Sequence, residues 1–88
     1  MELSQVELIN GAKNYADKYL SRSDLGHDEK LQMLSCAYAF LYLKAASKSP
    51  MKELGEAHEL IAKCFDHLGD SNWASKHRTT SSGYFKQN

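Results

Sequence analysis

Residues 36–46 read "CAYAFLYLKAA", and the fold turns on what surrounds them. The stretch carries one charge, Lys44, in a chain in which 25% of residues are charged. Wound at 3.6 residues per turn, the segment around it shows two apolar stripes. One holds Leu31, Leu34, Tyr38, Leu41 and Ala45; the other holds Met33, Cys36, Phe40 and Leu43. The two lie on nearly opposite sides of one helix, so protein is needed on both. Helices before and after can flank this one in a single layer. Alternatively they cover the first stripe only. The second then falls to Trp73, Tyr84 and Phe85 of the C-terminal segment, or to another chain. Large apolar side chains lose about 1.5–3 kcal/mol each if left wet. The expectation is therefore an association surface at Met33, Cys36, Phe40 and Leu43.

Working outward, the remaining segments read as helices too. Ser4 and Glu7 form a capping-box pair that opens a first helix over Gln5–Leu20, with one apolar face built on Leu8, Ala12, Tyr15 and Tyr19. The second helix is predicted over Asp28–Ser47. In "KSPMKE" Ser49 is positioned to cap and Pro50 to take the first turn of a third helix. Leu54, Ala57, Ile61, Cys64 and Leu68 continue it at 3-4-3-4 spacing, and Gly69 stands ready to end it. Asp70 caps a short fourth helix over Ser71–Arg78. The remainder, "TTSSGYFKQN", has weak helix propensity. The expectation is an all-α fold: a small antiparallel bundle of three main helices plus a short C-terminal fourth. Residues 1–80 form the domain and 81–88 a flexible or irregularly docked tail.

Eighty-eight residues make at most one domain. Such a chain folds to roughly 5,000 Å² of surface from roughly 14,000 Å² unfolded, which leaves one modest core. Acidic and basic residues balance at eleven each, so no global charge favours nucleic acid or an anionic membrane. The distribution is uneven. Residues 1–70 carry eight basic and eleven acidic side chains, whereas 71–88 carry Lys76, Arg78 and Lys86 and no acid. The arm interleaves these cations with Trp73, His77, Tyr84 and Phe85. That pattern serves single-stranded nucleic acid in some proteins, and it marks Trp73, Lys76, His77 and Arg78 as a secondary patch.

Catalytic and metal patterns are absent from the sequence. There is no glycine-flanked nucleophile, no H-E-x-x-H and no phosphate-binding glycine loop. Cys64-x-x-His67, with His58 and His77, is short of a four-ligand zinc pattern, and Cys64 falls on the apolar stripe. Two cysteines outside any C-x-x-C pair make no disulfide framework. The opening "MELSQVELIN" has neither the basic nor the apolar region of a signal peptide. The expectations are a non-catalytic chain in the cytoplasm with no cofactor, no metal, no membrane and no small-molecule substrate. Its partner is a protein or a second copy of itself.

One stretch resembles a known family. "AHELIAKCFDHLGDSNWASK", residues 57–76, is similar to a tetratricopeptide repeat at Ala62, Phe65, Leu68-Gly69-Asp70 and Ala74. The likeness covers about a quarter of the chain. Arg78 and Ser81 stand where the family has an aromatic and a small residue, and the first two helices lack the turn pattern. The resemblance implies a helical-hairpin scaffold used for protein binding. The function expected is a small interaction module of adaptor or inhibitor type, self-associating through an apolar helix face. The alternative is nucleic-acid binding through the basic-aromatic arm.

Overall fold

A computed structural model describes residues 4–86 of the chain. Four helices follow one another: α1 (Gln5–Leu20), α2 (His27–Ala46), α3 (Met51–His67) and α4 (Ser71–Lys86). There is no strand among the described residues.

Local chemistry explains the helix ends. The amide of Glu7 donates to Ser4 Oγ at 3.1 Å and starts α1. At α2 the Glu29 carboxylate accepts from the Gly26 amide at 3.1 Å, so Gly26 stands just before the first turn. At α3 the cap falls one residue later than the sequence suggests. Pro50 holds it, its carbonyl accepting from Glu53 and Leu54, while Ser49 Oγ bonds Ser47 Oγ at 2.9 Å. Gly69, at φ +80°, ends the third helix, and Asp70 Oδ1 accepts from the Trp73 amide to begin the fourth.

The fourth helix is not short. It spans 16 residues, as many as α1. The flexible or irregular tail expected over 81–88 is therefore corrected: residues 81–86 are helical, and residues 87–88 lie outside the described residues. Weak propensity is overridden by tertiary packing. Thr79 and Thr80 return their hydroxyls to the carbonyls of Ser75 and Lys76, four residues back. Ser81 is buried and donates to the Gly55 carbonyl of α3 at 2.7 Å.

Each helix packs on the next, and α1 also touches α3, whereas α4 meets only α3 in close backbone contact among the described residues. The Cα atoms fill 38 × 36 × 15 Å. Helix axes pack about 8–10 Å apart, so a 15 Å thickness holds two tiers and no more. α3 is the hub that touches all three other helices. It buries Gly55, Ala57, Leu60, Ile61, Ala62 and Cys64.

The two-striped helix turns one stripe inward. α1 and α3 both pack on α2 and touch each other, so the three helices close around a common core. Met33 has 0% of its surface exposed and Phe40 5%, both in a core shared with Ile9 and Ala16 of α1 and Leu60, Ile61 and Cys64 of α3. Cys36 and Leu43 are half-buried and pack against that core. The association surface expected at Met33, Cys36, Phe40 and Leu43 is thus occupied by the chain itself. The other stripe is the wetter one, with Leu31 and Tyr38 exposed.

α4 docks differently. It sends only Ala74 and Ser81 into the interior. Small side chains on both partners let α3 and α4 approach closely. A Cβ on Gly55 would stand 3.2–3.3 Å from the ring of Phe85, closer than carbon atoms normally settle.

Candidate functional site

Large rings that small α3–α4 contacts cannot bury are displaced to the flanks of α4. One flank carries Trp73, His77 and Tyr84, spaced four and seven residues apart and so aligned along one side of a continuous helix. Facing them are His58 and Phe65 of α3 and Tyr38 of α2. Six rings form a seam in which each touches the next. Phe65 stacks on Trp73 at 6.1 Å and on His77 at 5.8 Å between ring centres. His58 is stacked between His77 and Tyr84, at 5.2 and 5.6 Å. Tyr38 meets Phe65 and His77 edge-on. Pairs of this kind contribute about 0.5–1.5 kcal/mol beyond the area they bury.

Hydrogen bonds tie the seam across three helices. Tyr38 Oη lies 2.8 Å from His77 Nε2, and His77 Nδ1 lies 2.9 Å from His58 Nδ1. Burial, with the neighbouring His77, pulls the His58 imidazole below the ordinary histidine range. Burial does the same to His77 and pushes the Tyr38 phenol up. In each case the low-dielectric surroundings disfavour the charged form.

The seam is also open to water. Trp73 is 46% exposed and Tyr38 39%, and Tyr42 lies one turn further along α2 at 71%. Lys76 Nζ sits 4.3 Å above the Trp73 ring, a cation over a π face. The secondary patch thus divides. Trp73, Lys76 and His77 come together here, while Arg78 turns towards α3. Its guanidinium bonds Asp66 at 2.6 Å and approaches Glu59 at 3.5 Å.

Tyr38, His58, Phe65 and Tyr84 are members of the seam that the sequence did not group with the patch. The available signal was the spacing of Trp73, His77 and Tyr84. It becomes visible only when α4 is continued past Arg78.

The other candidate residues are scattered. Cys64 is buried, its thiol pushed by burial up to about 12, and His67 instead hydrogen-bonds the Arg22 carbonyl at 2.6 Å. No group of three or more His, Cys, Asp or Glu side chains gathers in a metal-binding arrangement among the described residues. A groove of about 280 Å³ opens on Lys13, Asp17, Glu59 and Lys63, with Phe40 and Phe85 as its apolar lining. Its rim carries both signs of charge, and Lys13 is already paired with Asp17 at 2.6 Å. No helix among the described residues is long and apolar enough to cross a membrane. Comparison with protein-family models, with curated proteins and with solved structures yields no match for this chain.

Proposed function

We propose that this chain is a small non-catalytic interaction module of adaptor or inhibitor type, and that it docks a protein through the six-ring seam between α2 and α4. The observation that carries the reading is the exposure of Trp73 and Tyr38 on one seam, with Tyr42 exposed a turn further along α2, in an 88-residue chain. Aromatic residues of this kind supply much of the energy at protein interfaces. Here Trp73 and Tyr38 are held in place by ring contacts with Phe65 and His77 before any partner arrives.

The scaffold is read as an antiparallel array of helical hairpins in the manner of tetratricopeptide repeats. Contacts near the start of α3 fall at the end of α4, as in Gly55 with Phe85, and those at the end of α3 fall at the start of α4, as in Phe65 with Trp73. The close crossing at Ala62 and Ala74 uses the small positions of such a hairpin, and Gly55 and Ser81 extend it. Two free thiols suit a reducing cytoplasm. The partner is a protein or a second copy of the chain. Nucleic-acid binding through the arm has less support, because Arg78 spends its guanidinium on Asp66 and Glu59.

The test uses Trp73→Lys with Tyr42→Lys, since Trp73 is 46% and Tyr42 71% exposed and their loss should leave the fold intact. Light scattering at high concentration and a pull-down from the source cell are compared for parent and variant. The expected result is an oligomer or a captured protein that the variant loses while its circular dichroism is unchanged. A parent that stays monomeric and retains nothing sensitive to the two substitutions removes the reading. Retention of an oligonucleotide that falls steeply with salt would instead favour the arm.

A further inference from the structure

We propose that Tyr38, His77 and His58 form a proton-operated latch that fastens α4 to α2 at neutral pH and releases it in mild acid. It acts on the same seam, and only its effect on binding rests on the function proposed above.

The argument is one of proton counting. His77 uses both ring nitrogens: Nε2 meets Tyr38 Oη at 2.8 Å and Nδ1 meets His58 Nδ1 at 2.9 Å. Among the described residues the Tyr38–His77 bond is the one side-chain hydrogen bond from α2 to α4, and the two helices share no close backbone contact. With both imidazoles neutral the chain closes in either direction. Tyr38 donates to Nε2 and His77 Nδ1–H donates to His58, or His58 donates to Nδ1 and Nε2–H donates to Tyr38. One added proton also fits, because a charged His77 donates at both ends. A second does not. Two N–H groups would then face each other across 2.9 Å with no acceptor between them, each on a charged ring. The rings must part; Tyr84 is stacked on His58, so the movement is assigned to His77, whose swing carries Nε2 away from Tyr38.

The surroundings offer the second proton no relief. From α2 the group facing the pair is the neutral Tyr38 phenol, and from α3 it is the Phe65 ring. From α4 come Trp73, the Tyr84 phenol stacked on His58, and two cations: Lys76 over Trp73, and Arg78 next in sequence to His77. The α3 carboxylates Glu59 and Asp66 are engaged by Arg78. α1 has no close backbone contact with α4. Burial of both imidazoles acts in the same sense, holding their protonation below the ordinary histidine range. α4 keeps its separate anchors to α3 through Ser81 and Arg78, so release opens the seam without detaching the helix.

Trp73 is the single tryptophan of the chain and touches His77, so its emission reports the latch directly. The free chain is titrated from about pH 7.5 to about pH 4.5, across the ordinary histidine value. Trp73 emission, imidazole nitrogen NMR and far-ultraviolet circular dichroism are followed together. The expected result is a step in emission with its midpoint below about 6.5 and helix content unchanged across it. The step should be lost in His77→Gln and retained in His67→Gln, whose ring lies outside the seam. Three results overturn the latch: no step, a step that survives in His77→Gln, or a step that coincides with loss of helix. If His77→Gln does not fold, the NMR of the parent decides. Two imidazoles that titrate independently at the ordinary value also refute it. Because no partner is present, these outcomes are distinct from failure of the binding assay at neutral pH.

Discussion

Replacing Phe40 by Ala should cost about 3–5 kcal/mol, because its ring leaves a packed site shared by α1, α2 and α3. A domain of this size has ~4–9 kcal/mol in total. Phe40→Asp should therefore unfold the chain outright, and a urea melt followed by circular dichroism is the check. A folded, fully helical Phe40→Asp chain would return the residue to the surface role suggested by its stripe. The sequence could not make this distinction. Met33 and Phe40 are visibly apolar, but nothing in their spacing says whether a neighbour in the same chain or in another one covers them. Gly55 went unnoticed, and Ala62, Ala74 and Ser81 entered only through the repeat resemblance, for the opposite reason. Small residues add little to an apolar stripe, yet they decide how near two helices can come. Ser81 matters through its hydroxyl and Gly55 through a missing side chain, and neither shows up in a hydrophobic pattern.

At the level of single helices, α4 is the instructive case. Its run Thr79-Thr80-Ser81-Ser82-Gly83 argues against helix, and the helix forms because α3 offers it a bed. Gly83 has open space where a Cβ would go. Gly83→Ala should therefore raise stability by about 1 kcal/mol, the ordinary helix-propensity difference, seen as a higher urea midpoint. No change, or a loss, would mean that α4 is frayed beyond Ser82 in solution. The legible elements were those with strong local signals. The Ser4–Glu7 pair, the Asp70 cap and the Gly69 stop all appear where the sequence puts them, and the ranges of α1, α2 and α3 follow closely. The length of α4 was illegible because tertiary contact, not propensity, sets it. The candidate site inherited that error: with the helix cut at Arg78, Tyr84 no longer lined up with Trp73 and His77.

On the scale of the whole molecule, acid should weaken the fold. His58 and His77 both stand below the ordinary histidine value because burial penalises their charged forms. Unfolded, they take up protons near pH 6.5; folded, they do so only at lower pH. Between those values the unfolded chain binds more protons, so stability is complete above about pH 7 and declines as pH falls through about 6.5. Urea midpoints at about pH 7.5 and about pH 5.5 compare the two regimes, and the decline should shrink in a His58→Gln, His77→Gln chain. Equal midpoints in the parent would show that the seam is wet enough to charge freely.

The two-tier stack has one further consequence. α1, α2 and α3 share large interlocking side chains, whereas α4 sends only an alanine and a serine inward and holds α3 otherwise through half-exposed rings and the Arg78 ion pairs. Such an arrangement comes apart from one margin inward. Because α4 has close backbone contact with α3 alone, whatever loosens the last helix bares the long flank of the most buried one and leaves the other three in contact.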